Sequence, residues 1–150
     1  MNIYIIDIDN TIADCRWRQH HAEAKDYDTF HSLCSEDKPI EAVCRLVRAL
    51  ALHDVVILCT GRSENNRRAT ELWCAKHDLR VDEILMRPER NYEPAGKVKE
   101  ALITEYFSGL EKALAQVCLV IDDNEKVTEH LRNLGFTVLQ TAQLAQTAGA

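Results

Sequence analysis

Apolar and polar positions along the chain fall into runs of two kinds that take turns. Residues 2–8 form an Ile-rich run that closes in acid, which predicts a buried strand delivering Asp7 and Asp9 to its carboxyl end. Two further runs, 54–61 and 116–123, are continuously apolar and end in Thr60-Gly61 and Asp122-Asp123, and shorter strands are expected at 83–86 and 136–139. Between them the spacing becomes helical. Val43, Leu46, Val47 and Leu50 sit at i, i+3, i+4 and i+7, with Pro39 near the helix start. Val127, His130, Leu131 and Leu134 repeat that spacing, and Gly135 supplies a stop. Ala69, Leu72 and Trp73 share a face on which Trp73 is expected to pack into the core, and one helix is expected over 95–114, beginning with Lys97 and Lys99.

Strands alternating with helices of this length predict an α/β fold, a three-layer α/β/α sandwich around a central, mostly parallel five-stranded sheet. The 150 residues, 46% of them hydrophobic, suffice for one core and leave no room for a second, so 1–150 reads as a single domain. In such sheets ligands bind at the carboxyl ends of the strands, where the strand order reverses. The three strongest strands end in Asp7 and Asp9, in Thr60-Gly61-Arg62, and in Asp122-Asp123. Lys97 or Lys99 brings an ammonium group to the same edge.

Charge narrows the possibilities. A net charge of -6 excludes broad, sequence-independent adhesion to nucleic acid, so a phosphate-bearing substrate must be drawn in by a local group of cations. The six cysteines are scattered and form no Cys-x-x-Cys pair, which suits reduced thiols in the cytoplasm rather than disulfides or zinc. His20 and His21 lack cysteine partners at metal spacing. The opening residues carry no basic segment and their apolar run is broken by Asp7, so neither a signal peptide nor a membrane span is expected.

Two carboxylate pairs converging in space repel unless a cation sits among them, and a hard divalent ion such as Mg²⁺ is the natural partner for oxygen ligands. With that charge compensated, a carboxylate can attack phosphorus as a nucleophile. Asp7 is the candidate. Asp9 is placed to protonate the leaving alcohol and then to deprotonate the attacking water. Thr60, the Gly61 amide and a lysine are expected to hold the non-bridging oxygens, and Ser63 to cap the helix that follows.

Asp7-Ile8-Asp9-Asn10-Thr11, Thr60-Gly61-Arg62, a helix lysine and Val120-Ile121-Asp122-Asp123-Asn124 resemble, in order, the four motifs of the haloacid-dehalogenase (HAD) superfamily of phosphatases. More narrowly, Thr60-Gly61-Arg62-Ser63-Glu64, then Arg68, Thr70 and Trp73, then Val98-Lys99-Glu100, and Leu131-Arg132 with Gly135 resemble the 3′-phosphatase domain of phage polynucleotide kinase/phosphatase. The resemblance implies a HAD-like Rossmannoid fold and an Mg²⁺-dependent phosphomonoesterase working through an aspartyl-phosphate. It implies Asp7 as nucleophile, Asp9 as acid/base, Thr60 and Lys99 as phosphate ligands, and Arg62 as a substrate contact. It prefers Lys99 over Lys97. The metal ligands would be Asp7, the Asp9 carbonyl, and at least one of Asp122 and Asp123. An arginine near position 18 also matches, so Arg18 is expected to reach substrate phosphate and Trp17 to stack a base. One departure is Ala95, where relatives carry an acid four residues before the lysine; Glu93 is the nearby substitute.

About fifty residues separate the first two motifs, too few for a large cap domain, and an open site suits a bulky substrate such as a polynucleotide end. The expected substrate is therefore a phosphorylated nucleic-acid end or a nucleotide. A nucleotidase or small-ester phosphatase of the same fold is the enzymatic alternative, and a catalytically weak module binding phosphorylated ends the non-enzymatic one. A phospho-acceptor signalling domain is disfavoured by motif order, since the doubled acid comes last here. No Gly-x-x-x-x-Gly-Lys-[Ser/Thr] loop occurs, so 5′ phosphorylation is not expected.

Overall fold

The computed structural model describes residues 1–142. Its centre is a five-stranded sheet in which every neighbouring pair is parallel. β1 (Ile3–Ile6) pairs on one side with β4 (Val55–Ser63) and on the other with β6 (Val117–Asp122); β5 (Glu83–Arg87) and β7 (Val138–Gln140) form the edges. The order β5-β4-β1-β6-β7 reverses at β1, so the crevice for ligands opens at the end of that strand.

Strand alternation assigns the core to two faces. Ile6, Val56 and Leu58 lie in one cluster with Cys44 and Val47 of α3 (Glu41–Ala51) and Trp73 and Cys74 of α4 (Arg67–Lys76). Ile5, Ile57, Cys59 and Val120 lie in the other. There they meet Ile103 of α5 (Ala95–Tyr106), Ala113 of α6 (Leu110–Gln116), and Val127 and Leu131 of α7 (Glu125–Leu134). Both faces are covered, which is why these strands read as unbroken apolar runs.

Between β1 and α3 lies a small insert. β2 (Ala13–Asp14) and β3 (Lys38–Pro39) pair antiparallel at its base, and α1 (Gln19–Glu23) and α2 (Tyr27–Ser32) lie within it. Among the described residues this insert is the whole of the cap, and no large domain covers the sheet edge.

Pro39 lies in β3, two residues before α3 starts at Glu41, near the helix start as expected. Several other local expectations change. Leu46 and Leu72 are exposed although their spacing puts them beside buried neighbours, because α3 and α4 bury narrower stripes than the spacing suggests. The helix expected over 95–114 breaks at Ser108 and Gly109, whose φ angles of 59° and 134° leave the helical region; Gly109 tolerates its value because it has no Cβ. Gly96 allows a close crossing with α7, since a Cβ there would stand 3.0 Å from the His130 ring. His130 is bound to Glu100 at 2.7 Å and so joins the two helices. Residues 143–150 lie outside the described range, including the last eight of the expected single domain.

Candidate active site

Register fixes the geometry at the end of β1. Ile6 pairs with Leu58 on one side and Ile121 on the other, so the next residue, Asp7, comes level with Asp122. The Asp7 amide donates to the Ile121 carbonyl at 2.9 Å, which extends the ladder by that one residue. Asp7 shares its side of the strand with Ile5, and Asp122 shares its side with Val120, so both carboxylates point toward α5. There the Lys99 ammonium donates to Asp7 Oδ1 at 2.7 Å and to Asp122 Oδ2 at 2.6 Å. Lys97 is exposed, which decides between the two lysines.

The chain then turns sharply. The amides of Thr11, Ile12 and Ala13 all donate to the Ile8 carbonyl. Asn10 takes φ 60°, a conformation that asparagine tolerates better than most residues, and its side chain accepts from the Cys15 amide at 3.1 Å. The turn sets the Thr11 hydroxyl 2.8 Å from Asp7 Oδ2 and 3.3 Å from Asp123 Oδ1. One hydroxyl proton serves one carboxylate at a time. Asp122 Oδ1 accepts from the Asn124 amide, and Asn124 caps α7 through Val127 N.

Asp7, Asp122 and Asp123 thus bring carboxylate oxygens within 4.8 Å of one another. One ammonium does not balance three carboxylates. Burial, with Asp7 alongside, pushes Asp122 up to about 6 and Asp123 up to about 8. Burial disfavours the charge of Lys99 as well, but Asp7 and Asp122 outweigh it and hold the ammonium well above the usual lysine range. A set of hard oxygen donors whose charge is frustrated in this way fits a divalent cation.

On the opposite side of β1 a second ion cluster forms, and it takes up residues expected to meet substrate. Arg18 and Arg62 are both fully buried. Arg18 donates from Nε and Nη2 to the two oxygens of Asp37 at 2.8 Å each, from Nη1 to the Phe30 carbonyl, and from Nη2 to Asp9 Oδ1. Its guanidinium also stacks 4.3 Å from the Phe30 ring centre. Arg62 donates to both Asp9 oxygens, to Asp37 Oδ2 and to Thr70 Oγ1. Arg18, expected to reach substrate phosphate, and Arg62, expected to contact substrate, are here both turned inward and grip Asp9. Trp17 is 41% exposed, with its indole N–H fixed on Asp37 Oδ1 at 2.8 Å. Burial raises the proton affinity of Asp9, but Arg62 and Arg18 outweigh it and bring its pKa down to about 2.

Thr60 is buried toward the end of β4, where its Oγ accepts the Arg62 amide at 3.1 Å and keeps its own proton to donate. Gly61 follows, its carbonyl taken by Arg87 Nε at 2.7 Å. Ser63 Oγ accepts from Asn65 N and caps the short 3₁₀ turn that leads into α4. Ala95 stands one turn before Lys99 without a carboxylate. Glu93, the nearby acid, is exposed, and its backbone carbonyl accepts from Arg87. Cys15 is buried close to this edge, and burial raises its thiol pKa, so the site gains no activated thiolate from it.

The family of polynucleotide kinase PNKP phosphatase domains matches residues 1–145. The chain belongs to this family. It is a phosphatase of the HAD superfamily. No curated protein matches at a significant level. Among solved structures, this PNKP-type phosphatase domain is similar to a chain in the structure of the Pnkp1/Rnl/Hen1 RNA repair complex, at 23% identity and a TM-score of 0.79 over 94% of the present chain. It spans 42% of that chain. L-2-haloacid dehalogenase from Xanthobacter autotrophicus, with chloropropionic acid covalently bound, shares the fold at 15% identity and a TM-score of 0.66, covering 97% of this chain and 79% of its own. A HAD-family enzyme from Bacteroides thetaiotaomicron in complex with magnesium and inorganic phosphate matches at 13% identity and a TM-score of 0.53, over 99% and 98% of the two chains.

No sequence signal pointed to Asp37, which anchors both guanidiniums, and motif resemblance alone assigned no role to Thr70, which holds Arg62, or to Thr11. Thr11 carried a signal, its place two residues after Asp9 in the first motif. Asp37 carried none. Among the described residues no helix is long and apolar enough to cross a membrane.

Proposed function

We propose that this domain removes terminal phosphate from polynucleotide 3′ ends through an aspartyl-phosphate on Asp7, with Mg²⁺ held by Asp7, Asp122, Asp123 and the Asp9 carbonyl. The observation that carries the reading is the alignment of Asp7 with Lys99, Asp122 and Thr11 at the point where strand order reverses. The metal would supply charge compensation for the phosphoryl oxygens and for the crowded carboxylates. Everything else falls to the chain. An Asp7 oxygen attacks phosphorus and the bond from phosphorus to the 3′ oxygen breaks. Asp9 gives that oxygen a proton. Asp9 then takes a proton from water, which attacks the acyl phosphate, releases inorganic phosphate and restores Asp7. Thr60, the Gly61 amide and Lys99 neutralise and orient the non-bridging oxygens.

The two arginines bear on the acid half of this cycle. Ion-paired Asp9 is a weak base and holds no proton, so its carboxyl must loosen from Arg18 and Arg62 to serve as the acid. These arginines are thus assigned to setting the position and proton affinity of Asp9 rather than to touching phosphate. The open sheet edge, with its small insert, supports a polynucleotide end over a metabolite. The family match and the likeness to a chain of an RNA repair complex support the same choice.

The test is Mg²⁺-dependent phosphate release from 3′-phosphorylated, 5′-phosphorylated and mononucleotide substrates. Release is expected to be fastest from the 3′-phosphorylated oligomer; equal or faster release from mononucleotides supports the nucleotidase reading instead, and tight binding without release supports the binding module.

The crowded carboxylates also predict how Mg²⁺ binding depends on pH. Asp123 keeps a proton below about 8 and Asp122 below about 6, and both must lose it to bind metal. Affinity should therefore rise about tenfold per pH unit between 6 and 8, with one proton released per ion, and more steeply below 6. Calorimetric titration in buffers of different ionisation enthalpy reads both quantities. Affinity that stays flat across this range would show that the cluster is already ionised.

A further inference from the structure

A cavity of about 740 Å³ adjoins the candidate site without containing its reacting groups. Gly61, next to Thr60, and Ala95, one turn before Lys99, both line it, so it begins where the phosphate cradle ends. Its volume lies within the range of small-molecule sites, about 300–1,000 Å³. α2 contributes Tyr27 and His31, and the loop entering α5 contributes Tyr92. The two tyrosines are 55% and 90% exposed, large aromatic surfaces left in water beside a crevice. His31 Nδ1 is buried with no hydrogen-bond partner, a cost that a ligand polar group would remove. Asn65, Asn66 and Asn91 add amides able both to donate and to accept.

Charge in the lining limits what fits. Arg87 and Arg90 stand with Asp28, Glu89 and Glu93, so the cavity has no excess of cations for a run of phosphates. Aromatic faces, amides and balanced charge suit an uncharged, flat, hydrogen-bonding group. The location beside Gly61 ties that group to the phosphate being removed. A Cβ on Gly61 would come within 3.4 Å of the Arg87 guanidinium and 3.9 Å of Ala95 Cβ, so the passage between cradle and cavity is narrow and its wall at 95 is a methyl group.

We infer that this cavity binds the terminal nucleoside of the phosphorylated end, with its base stacked on Tyr27 and Tyr92 and its sugar at Gly61 and Ala95. The inference rests on the phosphatase reading for the identity of the group in the cradle. It makes the enzyme a reader of the last base as well as of the phosphate. Stacking of this kind is sequence-tolerant, since every base presents a π face.

The experiment compares two 3′-phosphorylated oligomers, one ending in an ordinary nucleotide and one in a tetrahydrofuran residue that lacks the base. The expected result is a KM about tenfold lower for the base-bearing end, with kcat unchanged. Tyr27→Ala and Tyr92→Ala should each erode that advantage without affecting the base-free oligomer, and Tyr27→Phe and Tyr92→Phe should restore it. Both tyrosines are exposed, so the thermal midpoint should stay in place. Equal KM for the two oligomers in the wild type, or equal losses on both in the variants, overturns the assignment. If neither oligomer releases phosphate, the phosphatase reading fails and the cavity is judged by equilibrium binding of the same pair. A tighter base-bearing end whose margin vanishes in Tyr92→Ala upholds it, and equal affinities overturn it.

Discussion

Asp7→Asn is expected to abolish Mg²⁺-dependent phosphate release, by a factor on the order of 10⁴ or more. The substitution keeps the shape of the side chain and removes its charge and nucleophilicity. Lys99 retains its bond to Asp122 at 2.6 Å, and Thr11 can still donate to position 7, so the sheet edge should stay folded. Lost activity can then be assigned to chemistry rather than to unfolding. A single-turnover reaction with labelled 3′-phosphate should leave label transiently on the wild-type protein and none on the variant. Turnover at a wild-type rate in Asp7→Asn would remove Asp7 from the nucleophile role.

Asp37→Ala should destabilise the fold by about 3–5 kcal/mol. The cluster at this position holds two guanidiniums and two carboxylates, all but Asp9 fully shielded from water. Removing Asp37 leaves one buried positive charge uncompensated and takes away acceptors from Arg18, Arg62 and Trp17 together. Asp9 would then be the sole carboxylate for both arginines, held ionised more firmly and less able to take up the proton it must deliver to the leaving oxygen. Urea unfolding reads the first effect. The second appears as a fall in kcat with little change in KM, measured where the variant is still folded. A stability change below about 1 kcal/mol would mean that water or Asp9 compensates fully.

The sequence made the scaffold legible because the strands are covered on both faces, so their apolar runs stand out and each ends in the residues that matter. It could not show which strands are neighbours, nor that Asp7 and Asp122 come level; those follow from register. The directions of Arg18 and Arg62 were also hidden. Both lie beside motif residues, and nothing nearby indicates that they point inward, because the carboxylate that draws them is Asp37, 19 and 25 residues away in a short polar stretch. Leu46 and Leu72 misled for a related reason: helical spacing marks a face but not how wide a stripe the sheet covers. The break at Ser108 was masked by apolar spacing that continues across it.

Because β1 sits at the middle of the sheet, the acidic cluster gathers residues from opposite ends of the chain: the hydrogen bond between Thr11 and Asp123 alone spans 112 residues. An unfolded chain cannot present such a set of donors, so a cation held by Asp7, Asp122 and Asp123 would bind the native state alone. By mass action it would draw the whole population toward the fold, by about 2.7 kcal/mol at a free concentration one hundred times the Kd. Depleting the ion would thus loosen the central strand and its neighbours together, and resistance to proteolysis would follow the supply of metal.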